Sequence, residues 1–341
     1  MTGMERIKAA LQFDAVSETP VIPQVFGFTA KMCGVPLDNY VRNGDTLARC
    51  QLKTQERFGY DAVFGFMDVN VETEAVGSSL SYRADHYPTV ASYAITKSSD
   101  LNNLSFPDPS RAGRMPEILQ ALNIMRREVN DDVLVIGLVL GPLTLTTQLL
   151  GMERALYLAI DAPDDFMKVL TFAAEVITRF GKAQLRAGAH LMMIFDPVSS
   201  PAVVPPHFFR EFELPFITSA FAEFKQEGSF ANWLHIAGPV APILPYYGSA
   251  GVEIANLDYQ VEPAAARRQL SRICVNGNLK SSAFIFSSPE EIHDASLRLL
   301  EDFQDRGGFI LSSGCEIPPE SRPENVEALV TAVRNRGRFN A

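Results

Sequence analysis

The chain has 341 residues, 47% of them hydrophobic and 21% charged, which fills a core and excludes disorder as the main state. Its net charge of −10 excludes the basic footprint of a nucleic-acid binder. Four cysteines (Cys33, Cys50, Cys274, Cys315), far apart and without a CxxC pair, exclude a disulfide scaffold and point to a reducing, cytoplasmic setting.

The N-terminal segment MTGMERIKAALQFDA carries charges and no apolar run of the signal-peptide kind. Short apolar runs bounded by Gly, Pro or Asp then predict strands at 21–26, 62–66, 133–140, 190–195, 231–235, 251–256, 273–276 and 308–311. Between them, helical patterns are predicted at 45–58, 115–128, 142–160, 164–187, 206–225, 240–247, 263–270, 289–301 and 323–335, several opening at Pro. Residues 133–152 lack charge, but Gly137, Gly141-Pro142 and the threonines after them interrupt the run. It reads as a buried strand, a turn and a helix start, so no membrane span is expected.

Strands alternating with helices imply βαβ units, and eight of them fit a single (β/α)8 TIM barrel over residues 1–341. A doubly wound sheet would more often show GxGxxG after its first strand, which is absent. Residues 69–109 form the expected insertion after the second strand, with 79–82 and 93–96 pairing as a hairpin.

In such a barrel the strand carboxyl ends carry the site. The polar residues just past them are Asp68, Asp196, His235, Asn256, Asp258, Asn276, Asn278, Cys315 and Glu316. One Cys, one His and carboxylates at one rim suit metal binding or acid–base chemistry. Cys315 also reads as a buried small residue, His235 as a core histidine, and Asp196 before Pro197 as a turn cap. His86, His190, His207 and His293 read as structural or surface residues. Phe26, Phe28, Met32 and Cys33, with Phe64, Phe66 and Met67, read either as an apolar pocket or as packing.

The segments FGYDAVFGFMDVNVETEAVG, VIGLVLGPLTLTTQLLG, AGAHLMMIFDPVSSPAVVPPHFFREFELPF, LHIAGPVAPILPYYGSAGVE, VNGNLKSSAFIFSSPEEI and GGFILSSGCEIPPESRPENVEALV, in that order, resemble the uroporphyrinogen decarboxylase superfamily. Within it they resemble the corrinoid (cobalamin)-dependent methyltransferase branch. The resemblance implies a (β/α)8 barrel. It also implies transfer of a methyl group between a small substrate and the cobalt of a separate corrinoid protein.

Two departures refine what it implies. The Arg-containing segment by which decarboxylases bind substrate carboxylates reads PQVFGFTAKMCG here, without Arg, and the LGHG-type loop reads SGCE. Porphyrinogen decarboxylation is therefore not expected, although Asp68 stands where the family's catalytic Asp would. In the methyltransferase branch an HxC pair and a later Cys bind zinc. His235 and Cys315 match, but Ala237 replaces the middle ligand. Either a mixed zinc site recruits an oxygen ligand from Asp196, Glu316, Asp68 or another nearby group, or zinc has been lost. A metal with fewer thiolates is more electrophilic and favours demethylation of a methoxylated donor over activation of a thiol, leaving Asp68, Asp196 and Glu316 as the catalytic carboxylates. No DxHxxG-type corrinoid motif is present, so the corrinoid is expected on a partner protein. The partners considered are that protein, a small-molecule methyl donor or acceptor, and a second copy of the chain. A methylcobamide:thiol methyltransferase, or a decarboxylase or other lyase of the superfamily, is the alternative.

Overall fold

The computed structural model describes residues 1–14 and 18–339. In chain order the strands are β1 (Ala62–Gly65), the pair β2 (Ser79–Arg83) and β3 (His86–Ser92), then β4 (Leu134–Leu140), β5 (Leu191–Phe195), β6 (Asn232–His235), β7 (Ile254–Leu257), β8 (Cys274–Leu279) and β9 (Phe309–Ser313). All except β2 and β3 form one parallel sheet of seven strands in the order β1-β4-β5-β6-β7-β8-β9. β4 is buried at every position, as a parallel strand covered on both faces must be. Helices Gly44–Phe58 and Met115–Val129 pack on β1, and Pro163–Arg186 on β4 and β5.

The expected strand at 21–26 is not formed. Val21 makes a single parallel bridge to Leu311 of β9. Ile22 N–H donates to Leu311 O at 3.0 Å and Leu311 N–H to Pro20 O at 2.9 Å. On the other side, Asp61 N–H donates to Val21 O at 2.8 Å, and the Asp61 carboxylate takes Val21 N–H at 2.7 Å. Both edges of the sheet therefore meet the same few residues, and the sheet is curled. Pro20 and Pro23 flank those residues without N–H groups, so the pairing stops after Ile22. The architecture is an α/β fold with a curled parallel sheet, where the sequence predicts an eight-stranded closed barrel.

Three further boundaries differ. The hairpin pairs β2 with 86–92 and not with 93–96, because the chain turns directly at Ala84-Asp85. The helix expected over 142–160 is two helices, Pro142–Leu150 and Met152–Asp161, separated by Gly151 at φ +87°, a conformation glycine adopts without strain. That expected over 206–225 starts with a short turn (Pro206–Phe208) and a π-helical turn (Phe209–Glu213) before Leu214–Gln226, and 240–247 keeps only the 3₁₀ turn Leu244–Tyr246. Among the described residues no helix is long and apolar enough to cross a membrane.

The start of β5 carries a pH-sensitive pairing. Val135 N–H donates to His190 Nδ1 at 2.9 Å, so that nitrogen must be unprotonated. Burial, reinforced by Arg126 and opposed by Asp131, pushes the imidazole down to about 4. The folded state thus takes up its proton later than the unfolded chain, whose histidine titrates near 6.5. This contribution to stability is complete above pH 6.5 and is lost as pH falls through about 4. In His190→Asn, where an amide oxygen replaces the nitrogen acceptor, Tm is expected to fall less steeply between pH 6.5 and 4 than in the parent. Parallel Tm curves would remove the assignment.

Candidate functional site

Parallel register sets the inward-facing residues at the carboxyl ends of the strands. Leu140 pairs with Phe195, Phe195 with His235, His235 with Asn256, and Asn256 with Asn276. Paired residues of parallel strands project to the same face. The Phe195 and His235 rings accordingly lie 4.6 Å apart. Phe66 stands 6.2 Å from Phe195, and Phe26 lies 4.7 Å from Phe66 and 5.1 Å from Phe64. These aromatic residues form one cluster at the end of the sheet. Phe28, expected with them, packs on Phe58 of helix Gly44–Phe58 instead, at 6.1 Å.

His235 is fully buried, and neither ring nitrogen has a hydrogen-bond partner within the protein. Burial pushes its pKa down to about 3, so the ring is neutral. A neutral imidazole offers one donor and one acceptor, and both are unused here.

Asp68 is buried in an ion pair with Arg114, which grips both carboxylate oxygens. Asn70 N–H adds a bond at 2.8 Å. Burial pushes the Asp68 carboxyl up, while Arg114 and Asn70 pull it back. Arg114 also donates to Glu74 at 2.6 Å and to Val41 O at 2.7 Å. Glu74 in turn takes the Tyr82 hydroxyl at 2.9 Å. This network ties the loop after β1 to the hairpin and to the start of helix Met115–Val129.

Asp196 is fully buried and satisfied. One oxygen accepts from Thr144 N–H at 2.9 Å and from its hydroxyl at 2.5 Å, and the other takes the Ser199 hydroxyl at 2.7 Å. It joins the helix Pro142–Leu150, which follows β4, to the turn after β5. Gly141 makes room for it, since a Cβ there would lie 2.0 Å from Asp196 Cγ. Beside it Glu213, on the π-helical turn, is held well above the ordinary carboxyl range by burial and by Asp196.

Glu316 Oε1 takes the Tyr87 hydroxyl at 2.5 Å and Gly27 N–H at 3.2 Å. Burial pushes this carboxyl up to about 7, so a proton is available near neutrality. Cys315 is half-buried, and burial pushes its thiol up to about 11. Asp196 N–H donates to His235 O at 2.9 Å, but no side-chain to side-chain hydrogen bond or ion pair joins Asp68, Asp196, His235, Cys315 and Glu316 to one another. Each sits in its own network around the end of the sheet.

Zinc is the metal the sequence implies. Among the described residues, no group of three or more His, Cys, Asp or Glu side chains is placed to hold a metal ion. His235 and Cys315 are two donors, short of the three protein donors of a catalytic zinc, and Asp68 and Asp196 are committed elsewhere. The residues present do not fit that metal.

Sequence reasoning missed Arg114, Tyr87 and Glu213. Arg114 precedes a helix, where a basic residue carries no signal, and Tyr87 lies 229 residues from Glu316. Glu213 was findable: in FFREFELPF it is an acid inside an apolar helical pattern.

The Asp68–Arg114 pair yields a stability test. Arg114→Met strands a buried carboxylate and is expected to cost about 3–5 kcal/mol. Asp68→Asn together with Arg114→Met should recover part of that loss in denaturant unfolding. Strict additivity of the two single changes would show that the pair does not couple.

The profile of the uroporphyrinogen decarboxylase (URO-D) family matches residues 2–336. "Methylcobamide:CoM methyltransferase MtaA" of Methanosarcina barkeri is 28% identical over 336 residues, 96% of each chain. "Uroporphyrinogen decarboxylase" of Thioalkalivibrio sulfidiphilus is 27% identical over 355 residues, 98% of each chain. The solved structure of a methyltransferase from Methanosarcina mazei superposes with a TM-score of 0.89 at 27% identity, covering all of both chains. The curled sheet, the order of the segments around it and a family match from residue 2 to residue 336 lead to one conclusion: this chain belongs to the uroporphyrinogen decarboxylase family.

Proposed function

We propose that the protein is a corrinoid-dependent methyltransferase, moving a methyl group between a small, methoxylated substrate and the cobalt of a separate corrinoid protein. It would act as one domain over residues 1–341, a (β/α)8 barrel whose eighth position is the segment at 20–22. Full-length similarity to two methanogen methyltransferases supports this reading.

The observation that carries it is the lining of the site. A porphyrinogen brings many carboxylates, which need cations. Arg114 is the only Arg or Lys buried among the described residues, and it is spent on Asp68 and Glu74. The segment at 23–34 contributes Phe26 to the aromatic cluster, while its one cation, Lys31, is exposed. Phe26, Phe66 and Phe195 suit an apolar or aromatic methyl ether.

The corrinoid supplies the cobalt that takes the methyl group from the ether oxygen. That oxygen leaves with the bonding electron pair and requires a proton, because an alkoxide or phenolate leaves poorly. Glu316 is the carboxyl suited to deliver it, with Tyr87 and Gly27 N–H fixing its other oxygen. His235 and Cys315 flank the reacting group, Asp68 orders the loop after β1, and Asp196 holds the helix Pro142–Leu150 to the turn after β5. Exposed apolar side chains after β5, β7 and β8 — Val203 at 44%, Tyr259 at 47% and Phe286, at the end of the short helix Ala283–Phe286, at 82% — offer a contact surface for the corrinoid protein.

Given a reduced corrinoid protein and 2-methoxyphenol, the enzyme should generate methylcobalamin, read from its visible spectrum. Glu316→Gln should lower that rate about 10²-fold or more with the fold retained, since the amide keeps the contacts and cannot give up a proton. Because no metal site is formed among the described residues, Cys315→Ala should retain transfer; loss of transfer in both His235→Ala and Cys315→Ala would restore a ligand role for the pair. Turnover of uroporphyrinogen to coproporphyrinogen would instead establish the decarboxylase reading.

A further inference from the structure

Four polar side chains at the end of the sheet have no use in the chemistry above beyond the flanking role of His235. Asn256 stands in register between His235 and Asn276. Its Nδ2 donates to Asn276 Oδ1 at 2.6 Å and to the backbone carbonyls of Asn276 and Ser313 at 3.3 Å. Gln24 lies next to Ser313: its N–H donates to Ser313 Oγ at 3.3 Å, and its carbonyl accepts Ile317 N–H at 2.8 Å. His235, Asn256, Asn276 and Gln24 are all at 0% exposure.

Their remaining polar atoms have no partner within the protein: both His235 ring nitrogens, Asn256 Oδ1, Asn276 Nδ2, and Oε1 and Nε2 of Gln24. The orientation of the two asparagines follows from their neighbours. Backbone carbonyls only accept, so the Asn256 nitrogen must face them and its oxygen must face away. Asn276 Oδ1 then receives that nitrogen, which frees Asn276 Nδ2. A buried polar group without a partner is costly, and an aliphatic row would pack at no such cost. His235, Asn256 and Asn276 stand in one register with Gln24 on the neighbouring segment, and a concentration of such groups there points to a ligand.

The row has a chemical signature. Asn276 Nδ2 and Gln24 Nε2 donate, Asn256 Oδ1 and Gln24 Oε1 accept, and the neutral imidazole supplies one of each. None of these groups carries charge. Asp68, Glu72, Asp196 and Glu213 are buried acids, and the one buried cation among the described residues, Arg114, is already paired. A carboxylate, sulfonate or phosphate would find no buried counter-charge here, and an ammonium would leave the donors unmet.

We propose that His235, Asn256, Asn276 and Gln24 recognise a neutral group that both donates and accepts hydrogen bonds, a hydroxyl or a carboxamide, on the methyl-bearing substrate. Phe26, Phe66 and Phe195 cover its apolar part. This deepens the methyl-transfer reading and rests on it for the identity of the ligand as substrate.

Calorimetric titration of the full chain with 2-methoxyphenol, methoxybenzene and 2-methoxybenzoate tests it. The phenol should bind about tenfold or more tightly than methoxybenzene, which leaves the row unpartnered, and 2-methoxybenzoate should bind weakest. Asn276→Ala and Gln24→Leu should each bring the phenol-to-methoxybenzene ratio towards one while methoxybenzene binding is kept. Gln24→Leu also guards against misfolding, because exchanging an unpartnered amide for a similar apolar side chain should hold or raise Tm. Tightest binding of 2-methoxybenzoate, no binding of 2-methoxyphenol, no preference in the parent, or a preference surviving both substitutions would each overturn the proposal. Methylcobalamin formation is measured alongside. Transfer without the preference overturns the row and leaves the reaction; the preference without transfer keeps the row and removes the reaction.

Discussion

Phe195, His235, Asn256 and Asn276 stand side by side because four parallel strands share one register. In a parallel sheet neighbouring strands lie about 4.8 Å apart and paired residues face the same way, so a row of side chains follows from backbone hydrogen bonding alone. A slip of one residue in β6 would turn His235 outward and bring Leu234 or Ile236 in. The register is held by apolar residues below the row, among them Trp233 and Phe64, whose rings meet at 6.5 Å. Site geometry and core packing are therefore one constraint.

Charge inside this fold is distributed with few cations. The buried acids outnumber the buried bases among the described residues, and each acid is managed separately. Arg114 neutralises Asp68, hydroxyl and amide donors solvate Asp196, and burial leaves Glu213 and Glu316 with raised affinity for a proton. Acids treated in these ways divide into ones that hold loops and ones that can carry protons. The same scarcity of cations sets this chain apart from a site built for a polycarboxylate.

Much of the sheet was legible in the sequence. The uncharged run at 134–140 and the apolar pairs before Asp196 and His235 are signals of buried parallel strands, and the rim residues follow from where those runs end. The segment at 21–26 misled because its apolar residues satisfy a hydropathy pattern while Pro20 and Pro23 deny it hydrogen bonds. The partners of the rim residues were not legible. Arg114 is 46 residues from Asp68 and Tyr87 is 229 from Glu316, distances at which only the folded chain decides what meets.

The replacement at Ala237 gains meaning from the same geometry. An HxC pair makes a histidine into one arm of a metal site, and that use occupies one of its ring nitrogens. Here Ala237 offers no donor, and His235 keeps two unused nitrogens beside an asparagine pair with unused atoms of its own. In this chain the histidine stands in register with two amides. Amides bind neutral polar groups and thiolates bind soft metals. The recognition proposed for this row therefore rests on amides and a neutral imidazole, set side by side by the register of β6, β7 and β8.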